Sequence, residues 1–336
     1  MGKIDPTILK SIVFKYLGCR RREVLVGPNV GVDAAILNVN SSLVIFKIDP
    51  ITGAYRHQGK LAVNIVSNDI ACMGGKPVAI TITLLLPENS TANMVEEIMR
   101  EADEAARKLG ISIVGGHTEV VTGMNRPPIV VTSAIGVPVK PGKIYHPRMV
   151  KPGDAILMTK TAAIEGTYII FEEFKDILER ELERDLIEEI KSFADKTTVI
   201  KEAEILAENE LVHAMHDPTD GGLLEGLYEF AEAANLDFIV YEDRIKIAKS
   251  TLKLARKFNI DPLKLISSGV LLAAIPPNKI DLALNTLKDI GIEASIIGFF
   301  KEKGHGRLVK RRNGRLEYVD KPVVDELWRI LMKKHF

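Results

Sequence analysis

The chain has 336 residues, 46% of them apolar, and its 45 Lys and Arg balance 45 Asp and Glu. That length suits two domains with real cores, and the lack of a basic excess argues against nucleic acid as a partner. Two cysteines, Cys19 and Cys72, are too few for a disulfide framework; with no signal-peptide pattern and no apolar run of about 20 residues to span a bilayer, a cytoplasmic protein off the membrane is expected.

Residues 1 to 22 read as a short helix with a basic end. Arg20, Arg21 and Arg22 either grip a phosphate or form a solvated helix end, the commoner outcome. Gly27-Pro28-Asn29-Val30-Gly31-Val32-Asp33 is a punctuated loop that opens onto a strand from Ala34 to Val39. A second strand, Leu43 to Ile48, ends at Asp49-Pro50-Ile51-Thr52-Gly53. Joined through Asn40-Ser41, the two read as a hairpin. Antiparallel pairing puts Asp33 and Asp49 at one end of the sheet, where they could share a cation. Asp at a strand end is also ordinary turn chemistry.

In the stretch Asn64 to Pro77, the residues Ile65, Ile70 and Met73, with Leu61 before them, mark one face of a helix. Gly74-Gly75 ends it, and the apolar run Val78 to Leu86 reads as a buried strand. Asp69 sits beside these apolar residues, where a carboxylate is costly unless paired or holding a cation. A metal or phosphate site and a plain surface Asp are both open readings.

Ser90 or Thr91 caps the next helix, which runs to about Leu109 with Met94, Ile98, Ala102, Ala105 and Leu109 on one face and Gly110 as its stop. A short strand, Ile111 to Val114, then delivers a turn, Gly115-Gly116-His117-Thr118-Glu119. Two glycines let a backbone approach a ligand closely, and the next three residues supply a proton carrier, a hydroxyl and a carboxylate. The alternative is a tight turn with polar decoration. The strand Ile129 to Val137 closes this half.

Prolines and basic residues between Tyr145 and Gly153 place a domain boundary near 140–155, giving domains of residues 1–145 and 146–336. The second half starts with the strand Ala155 to Thr159. Gly166-Thr167 opens a helix, with an anion site as one reading of its free N–H groups. Residues 175 to 193 alternate charge as an exposed helix, and another helix covers Thr198 to Glu208. A short strand then ends in His216-Asp217-Pro218-Thr219-Asp220, and Gly221-Gly222 start a helix whose N–H groups could bind phosphate. Asp217 or Asp220 as a helix cap is the alternative. A strand from Val270 to Ile275, the helix Lys279 to Ile290 and the strand Ala294 to Phe299 complete an α/β unit. Lys301 to Arg315 reads as a hairpin and residues 323 to 336 as a terminal helix around Trp328. The fold class expected is α/β (α+β). Walker, Rossmann and zinc-spacing motifs are absent. Gln58 is the sole glutamine, in keeping with a heat-adapted source.

Five motifs taken in order carry a family resemblance: Gly31-Val32-Asp33-Ala34-Ala35; Asp49 with Gly53; Gly59 to Asn64 followed by Asn68-Asp69-Ile70-Ala71-Cys72-Met73-Gly74-Gly75-Lys76-Pro77; Gly115 to Glu119; and Asp217-Pro218-Thr219-Asp220-Gly221-Gly222-Leu223. Over nearly the whole chain they resemble the PurM-like superfamily, which holds aminoimidazole ribonucleotide (AIR) synthetase, thiamine-phosphate kinase, selenophosphate synthetase and the hydrogenase expression/formation protein HypE. The resemblance implies two PurM-like domains, a homodimer joined through the N-terminal sheets, and ATP in a cleft between domains. Mg²⁺ would bridge its phosphates to Asp33, Asp49 and Asp69, with Asp217 added from the second domain. Asn68, Gly115, Gly116, Thr118, Gly221 and Gly222 would bind the nucleotide, and His117 or Glu119 would handle protons. The family chemistry implies a small-molecule acceptor phosphorylated on oxygen with release of ADP.

Gly-Gly-His-Thr-Glu-Val-Val and the length look most like HypE-type and AIR synthase-related proteins, which implies a maturation protein as a partner. HypE works on its own C-terminal cysteine; this sequence has no cysteine near Lys333-Lys334-His335-Phe336, so the expectation is an enzyme that is HypE-like by sequence with a different acceptor. A selenophosphate synthetase-like or thiamine-phosphate kinase-like enzyme and a non-catalytic nucleotide-binding scaffold are the alternatives.

Overall fold

A computed structural model describes residues 3–52 and 56–334; Gly53 and the last two residues of the expected terminal helix lie outside the described residues. The first half comprises α1 (Pro6–Ser11), β1 (Val24–Val26), β2 (Ala35–Val39), β3 (Ser42–Ile51), α2 (Gln58–Cys72), β4 (Gly75–Leu86), α3 (Ala92–Leu109), β5 (Ser112–Val120) and β6 (Ile129–Pro138). Its sheet runs β1-β2-β3-β6-β4-β5; β4 and β5 are parallel and the other neighbours antiparallel.

The expected hairpin is β2–β3. Its turn residues Asn40 and Ser41 have φ of 49° and 66°, the geometry whose twist suits a two-residue hairpin. On β3, Ile45, Lys47, Asp49 and Ile51 point inward while Phe46 and Ile48 are exposed, the period-2 alternation of a strand with one covered face. The helix α2 is buried along nearly its whole length, and its crossing with α3 requires Gly59, where a Cβ would meet the Ile98 carbonyl oxygen at 1.9 Å. Thr91 accepts from Met94 N to start α3, and Gly110 ends it with φ 70°.

The second half holds β7 (Ala155–Thr159), α4 (Ile164–Glu173), α5 (Lys175–Glu181), α6 (Arg184–Phe193), α7 (Ile200–Glu208), β8 (Ala214–His216), α8 (Gly222–Ala234), β9 (Asp237–Tyr241), α9 (Lys249–Phe258), β10 (Leu272–Ile275), α10 (Ile280–Asp289), β11 (Ala294–Lys301), β12 (Arg307–Lys310), β13 (Leu316–Tyr318) and α11 (Glu326–Lys334). The sheet order is β13-β12-β9-β11-β7-β10-β8. The strands β7 and β10 are wholly buried, because helices cover both faces of the sheet: Ile156 and Met158 pack toward α4 and α8, Ala155 and Leu157 toward α7 and α10. The two-domain α/β (α+β) architecture is as expected. Ala71 and Cys72, at the end of α2, sit in the core of the second half. No helix among the described residues is long and apolar enough to cross a membrane.

Several local expectations are corrected. The helix expected over residues 175 to 193 is two helices, since Leu182 turns extended and inserts its side chain into the core. The basic hairpin lies further on, as β12 paired with β13. Gly166 lies inside α4, where a Cβ would strike the Leu265 side chain at 2.4 Å and its N–H donates to the Ile266 carbonyl at 3.0 Å. That glycine serves packing, and its N–H is not open to an anion. The first residues, expected with the first domain, are tied to the second: Lys3 N donates to Asp220 Oδ2 at 3.0 Å, and Lys10 Nζ to Glu232 Oε1 at 2.5 Å.

Candidate functional site

A cavity of about 680 Å³ opens where the two halves meet. Asp33 enters it from the loop before β2, and Lys47 and Asp49 from the inner face of β3. Asp69 comes from the last turn of α2, His216 from the end of β8 and Asp217 from the residue after it; Lys3 and Glu229 complete the wall. The four carboxylates expected at a metal site thus line one cavity, from three separate elements of the first half and one of the second.

Lys47, His216 and Lys3 are the cations paired with acids of this cavity. Lys47 Nζ lies 3.1 Å from Asp69 Oδ1. The imidazole of His216 spans two acids, Nδ1 at 2.7 Å from Asp33 Oδ1 and Nε2 at 3.4 Å from Glu229 Oε2; Glu229 also accepts from Lys3 Nζ at 2.9 and 3.0 Å. Burial alone would discharge His216, yet Asp33 and Glu229 raise it to about 10. Burial raises Asp69 well above the usual carboxylate value, Lys47 opposing and Asp217, Asp49 and Asp33 adding to it. Burial and the neighbouring Asp33 push Asp217 up to about 7.

The cations do not satisfy the set. Asp33 Oδ2, Asp69 Oδ2 and Asp217 Oδ2 are buried with no hydrogen-bond partner. An orphaned buried acceptor costs about 1–3 kcal/mol, more when charged, and the three around this cavity are a set that a positive ligand would satisfy. Ligand atoms of Asp33, Cys72 and Asp217 lie within 4.8 Å of one another. The Cys72 thiol is held protonated by burial and by Asp217, and Sγ donates to Asp217 Oδ1 at 3.6 Å. The donors left are carboxylate oxygens, the set that hard divalent cations take.

The other expected site residues are not brought to this cavity. Gly115 to Glu119 form no turn: they continue β5 as an exposed edge strand, paired in parallel with Thr81 to Leu85. Gly116 is required by the neighbouring strand β4, since a Cβ there would meet the Ile82 carbonyl oxygen at 1.8 Å. Thr118 is exposed, and the side chains of His117 and Glu119 pair with each other on the surface, Nε2 to Oε2 at 3.1 Å. Asn68 joins the domains: its Nδ2 donates to the Thr197 carbonyl at 3.0 Å and its Oδ1 accepts from Val199 N at 2.9 Å. The Gly221 N–H donates to Asp325 Oδ2 at 2.7 Å and the Gly222 N–H to the Thr219 carbonyl at 2.9 Å, so neither points a free donor at a phosphate.

Sequence reasoning missed Lys47, His216, Glu229 and Lys3. For Lys47 a signal existed, as a lysine two positions before Asp49 in an apolar strand shares its inward face. The partners of His216 are 183 and 13 residues away, and no local pattern announces such a pair.

The family model of the AIR synthase related protein N-terminal domain matches residues 31–138, and that of the C-terminal domain matches residues 151–311. The chain belongs to the AIR synthase-related family. Within that family it is 27% identical over 336 residues to a Methanocaldococcus jannaschii protein named for hydrogenase expression/formation, covering 98% of this chain and 97% of the relative. It is 28% identical to the carbamoyl dehydratase HypE of Cupriavidus necator over 78% of this chain and 73% of that protein. A selenide, water dikinase of Haemophilus influenzae is 26% identical over 91% of this chain and 93% of its own. Among solved structures, a HypE–HypF complex superposes with TM-score 0.75 at 23% identity, covering 94% of this chain and 99% of that one. A HypE in complex with ATP gives 0.72 at 21%, over 96% of both chains. A ThiL complexed with AMPPCP and TMP gives 0.73 at 16%, over 93% and 94%. At these identities the structural likeness establishes the shared fold.

Proposed function

We propose that this chain is an ATP- and Mg²⁺-dependent enzyme that phosphorylates an oxygen of a small acceptor and releases ADP. The observation that carries the reading is the trio of orphaned carboxylate oxygens on Asp33, Asp69 and Asp217 around one cavity. These three, with Asp49 beside them, would hold Mg²⁺, which when bound supplies charge neutralisation for the phosphates. Lys47 and Lys3 add positive charge on the same wall. His216, cationic between Asp33 and Glu229, fixes the Asp33 carboxylate in orientation. Solved neighbours support the nucleotide, since a HypE has been solved with ATP and a ThiL with AMPPCP.

The reading includes a homodimer. Phe46 and Ile48 on β3, Val78 on β4, and Ile135 and Val137 on β6 are exposed on one face of the first sheet, where Phe46 faces Ile135 across the ladder. A contiguous apolar face of that kind is an interaction surface, and a second copy would cover it. His117, Thr118 and Glu119 enter the chemistry only through such a dimer, which would carry the exposed β5 against the other copy.

Calorimetry with Mg·ATP and an ADP-release assay test the reading. Asp69→Asn and Asp217→Asn are expected to lose Mg²⁺-dependent ATP binding and ADP release with the fold intact. Unchanged ATP turnover in Asp69→Ala would refute it. The HypE–HypF complex favours a second reading, in which a maturation protein presents the acceptor. Co-elution with a purified HypF-type protein, together with ADP release that appears only in its presence, separates this from a free small molecule.

A further inference from the structure

One residue behind the acidic cavity has no part in the magnesium reading. Cys72 closes α2, fully buried, three residues after Asp69 and so on the same side of the helix. Its Sγ lies 3.6 Å from Asp217 Oδ1. The sulfur and one oxygen each from Asp33 and Asp217 fall within 4.8 Å of one another, and among the described residues this is the one group of three acid, histidine or cysteine side chains close enough to share an ion.

That geometry suits a thiophilic ion. Zinc bonds of about 2.3 Å to sulfur and about 2.1 Å to oxygen, at a tetrahedral angle, separate the two ligand atoms by about 3.6 Å. The Sγ–Oδ1 distance already has this value. Asp33 and Asp217 are 6% and 2% exposed, and each keeps a buried Oδ2 without a hydrogen-bond partner, so the set is short of a positive charge and not merely acidic. The thiol also stands at the C-terminal end of a 15-residue helix with no basic residue in its last turn, where the helix dipole favours a cation. A hard ion gains little from a sulfur ligand, whereas zinc and softer ions gain much. Asp33 and Asp217 line the cavity, which gives an ion its way to the thiol behind them.

We propose that Asp33, Cys72 and Asp217 form a binding site for a thiophilic divalent cation of the zinc class, and that this ion holds the enzyme off by taking two of the carboxylates that Mg²⁺ needs. On binding, the Cys72 S–H bond breaks, the sulfur electron pair forms the bond to the metal, and the proton leaves to solvent; no oxidation state changes. Three protein ligands leave the fourth position of a tetrahedron to water. The inhibitory half of the proposal rests on the phosphoryl-transfer reading above, while the metal site stands on the three side chains themselves.

The test uses metal-stripped Cys19→Ser protein, in which Cys72 is the remaining thiol, with Co²⁺ as the spectroscopic probe for Zn²⁺. Co²⁺ is expected to give a thiolate-to-metal charge-transfer band in the near ultraviolet that Zn²⁺ abolishes by displacement. This readout keeps the native Cys72 and so does not depend on any variant at that buried position folding. In calorimetry, adding Cys72→Ser, or Cys72→Ala as the variant without a hydroxyl, should weaken Zn²⁺ at least tenfold and leave Mg·ATP affinity unchanged. With free Zn²⁺ set by a metal buffer, the ion should suppress Mg·ATP binding, and either Cys72 variant should raise the concentration required at least tenfold. Absence of the sulfur band, whether Co²⁺ binds elsewhere or not at all, overturns the site, as does equal Zn²⁺ affinity with and without Cys72. Zn²⁺ bound through Cys72 alongside undiminished Mg·ATP binding overturns the inhibition. Zn²⁺ bound through Cys72 in a protein that never binds Mg·ATP instead overturns the phosphoryl-transfer reading and leaves the thiol site standing.

Discussion

The His216 bridge gives the sharpest quantitative test of the site's electrostatics. Its imidazole is 4% exposed and lies within ion-pair distance of Asp33 and Glu229. Those acids raise it from the ordinary 6.5 to about 10 against the opposing effect of burial. A raised folded pKa means that the protonated ring stabilises the native state fully below about 6.5, and that this stability is lost as pH rises toward and through 10. The slope between those values is about 1.4 kcal/mol per pH unit. Removing one member of a buried ion pair costs about 3–5 kcal/mol, which bounds the whole effect. The perturbation is His216→Gln, which keeps polarity and approximate size without the charge. The assay is urea unfolding of wild type and variant, with chelator present, at pH 6, 8, 9 and 10.5. The stability difference should be about 3–5 kcal/mol at pH 6 and shrink steadily to near zero by pH 10.5. Lysine and tyrosine titrations are common to both proteins and cancel in the difference. A difference that stays constant over this range would refute the reasoning.

Three further outcomes follow from the geometry. Lys47→Met leaves Asp69 buried beside three other acids; metal-free stability should fall by about 3–5 kcal/mol while calorimetric Mg²⁺ affinity rises, and unaltered Mg²⁺ binding would place the ion away from Asp69. Asn68→Ala strands the Val199 N–H and the Thr197 carbonyl at the domain junction and should cost about 2–3 kcal/mol in denaturant unfolding, with nucleotide affinity measured on the folded variant unchanged. Gly116→Val must displace β5 from β4, given the 1.8 Å approach of a Cβ to the Ile82 oxygen. Faster amide exchange in β5, with the second sheet still protected, is the expected signature.

What the sequence disclosed depended on how local each signal was. Asp33 and Asp49 were legible as a pair because a two-residue hairpin turn fixes register, and register fixes which ends meet. Asp69 was legible as a carboxylate at odds with its apolar neighbours. Gly115-Gly116 and Gly221-Gly222 misled for one shared reason. A missing Cβ serves the approach of another backbone as well as that of a ligand, and Ile82 and Leu265 are what approach Gly116 and Gly222. Asn68 stands four residues after Asn64, which donates to Thr197 Oγ1 at 2.8 Å; that spacing shows a shared helix face, with nothing to say that a second domain lies against it. The cluster of Asp33, Cys72 and Asp217 draws on the loop before β2, the end of α2 and the residue after β8, and only the folded chain assembles it.

The dual duty of α2 limits how the molecule can move. One helix presents Asp69 to the acidic cavity, hands Asn64 and Asn68 to residues 197–199, and ends with Ala71 and Cys72 inside the core of the second half. A jaw-like opening between the halves would tear those hydrogen bonds and drag a cavity carboxylate with them. The cleft is also covered by the arm that runs from Lys3 into α1. That arm buries none of the α1 residues and is fastened by the ion pairs Lys3–Glu229 and Lys10–Glu232. Salt and proteolysis should act on this strap long before they act on the joint between the domains.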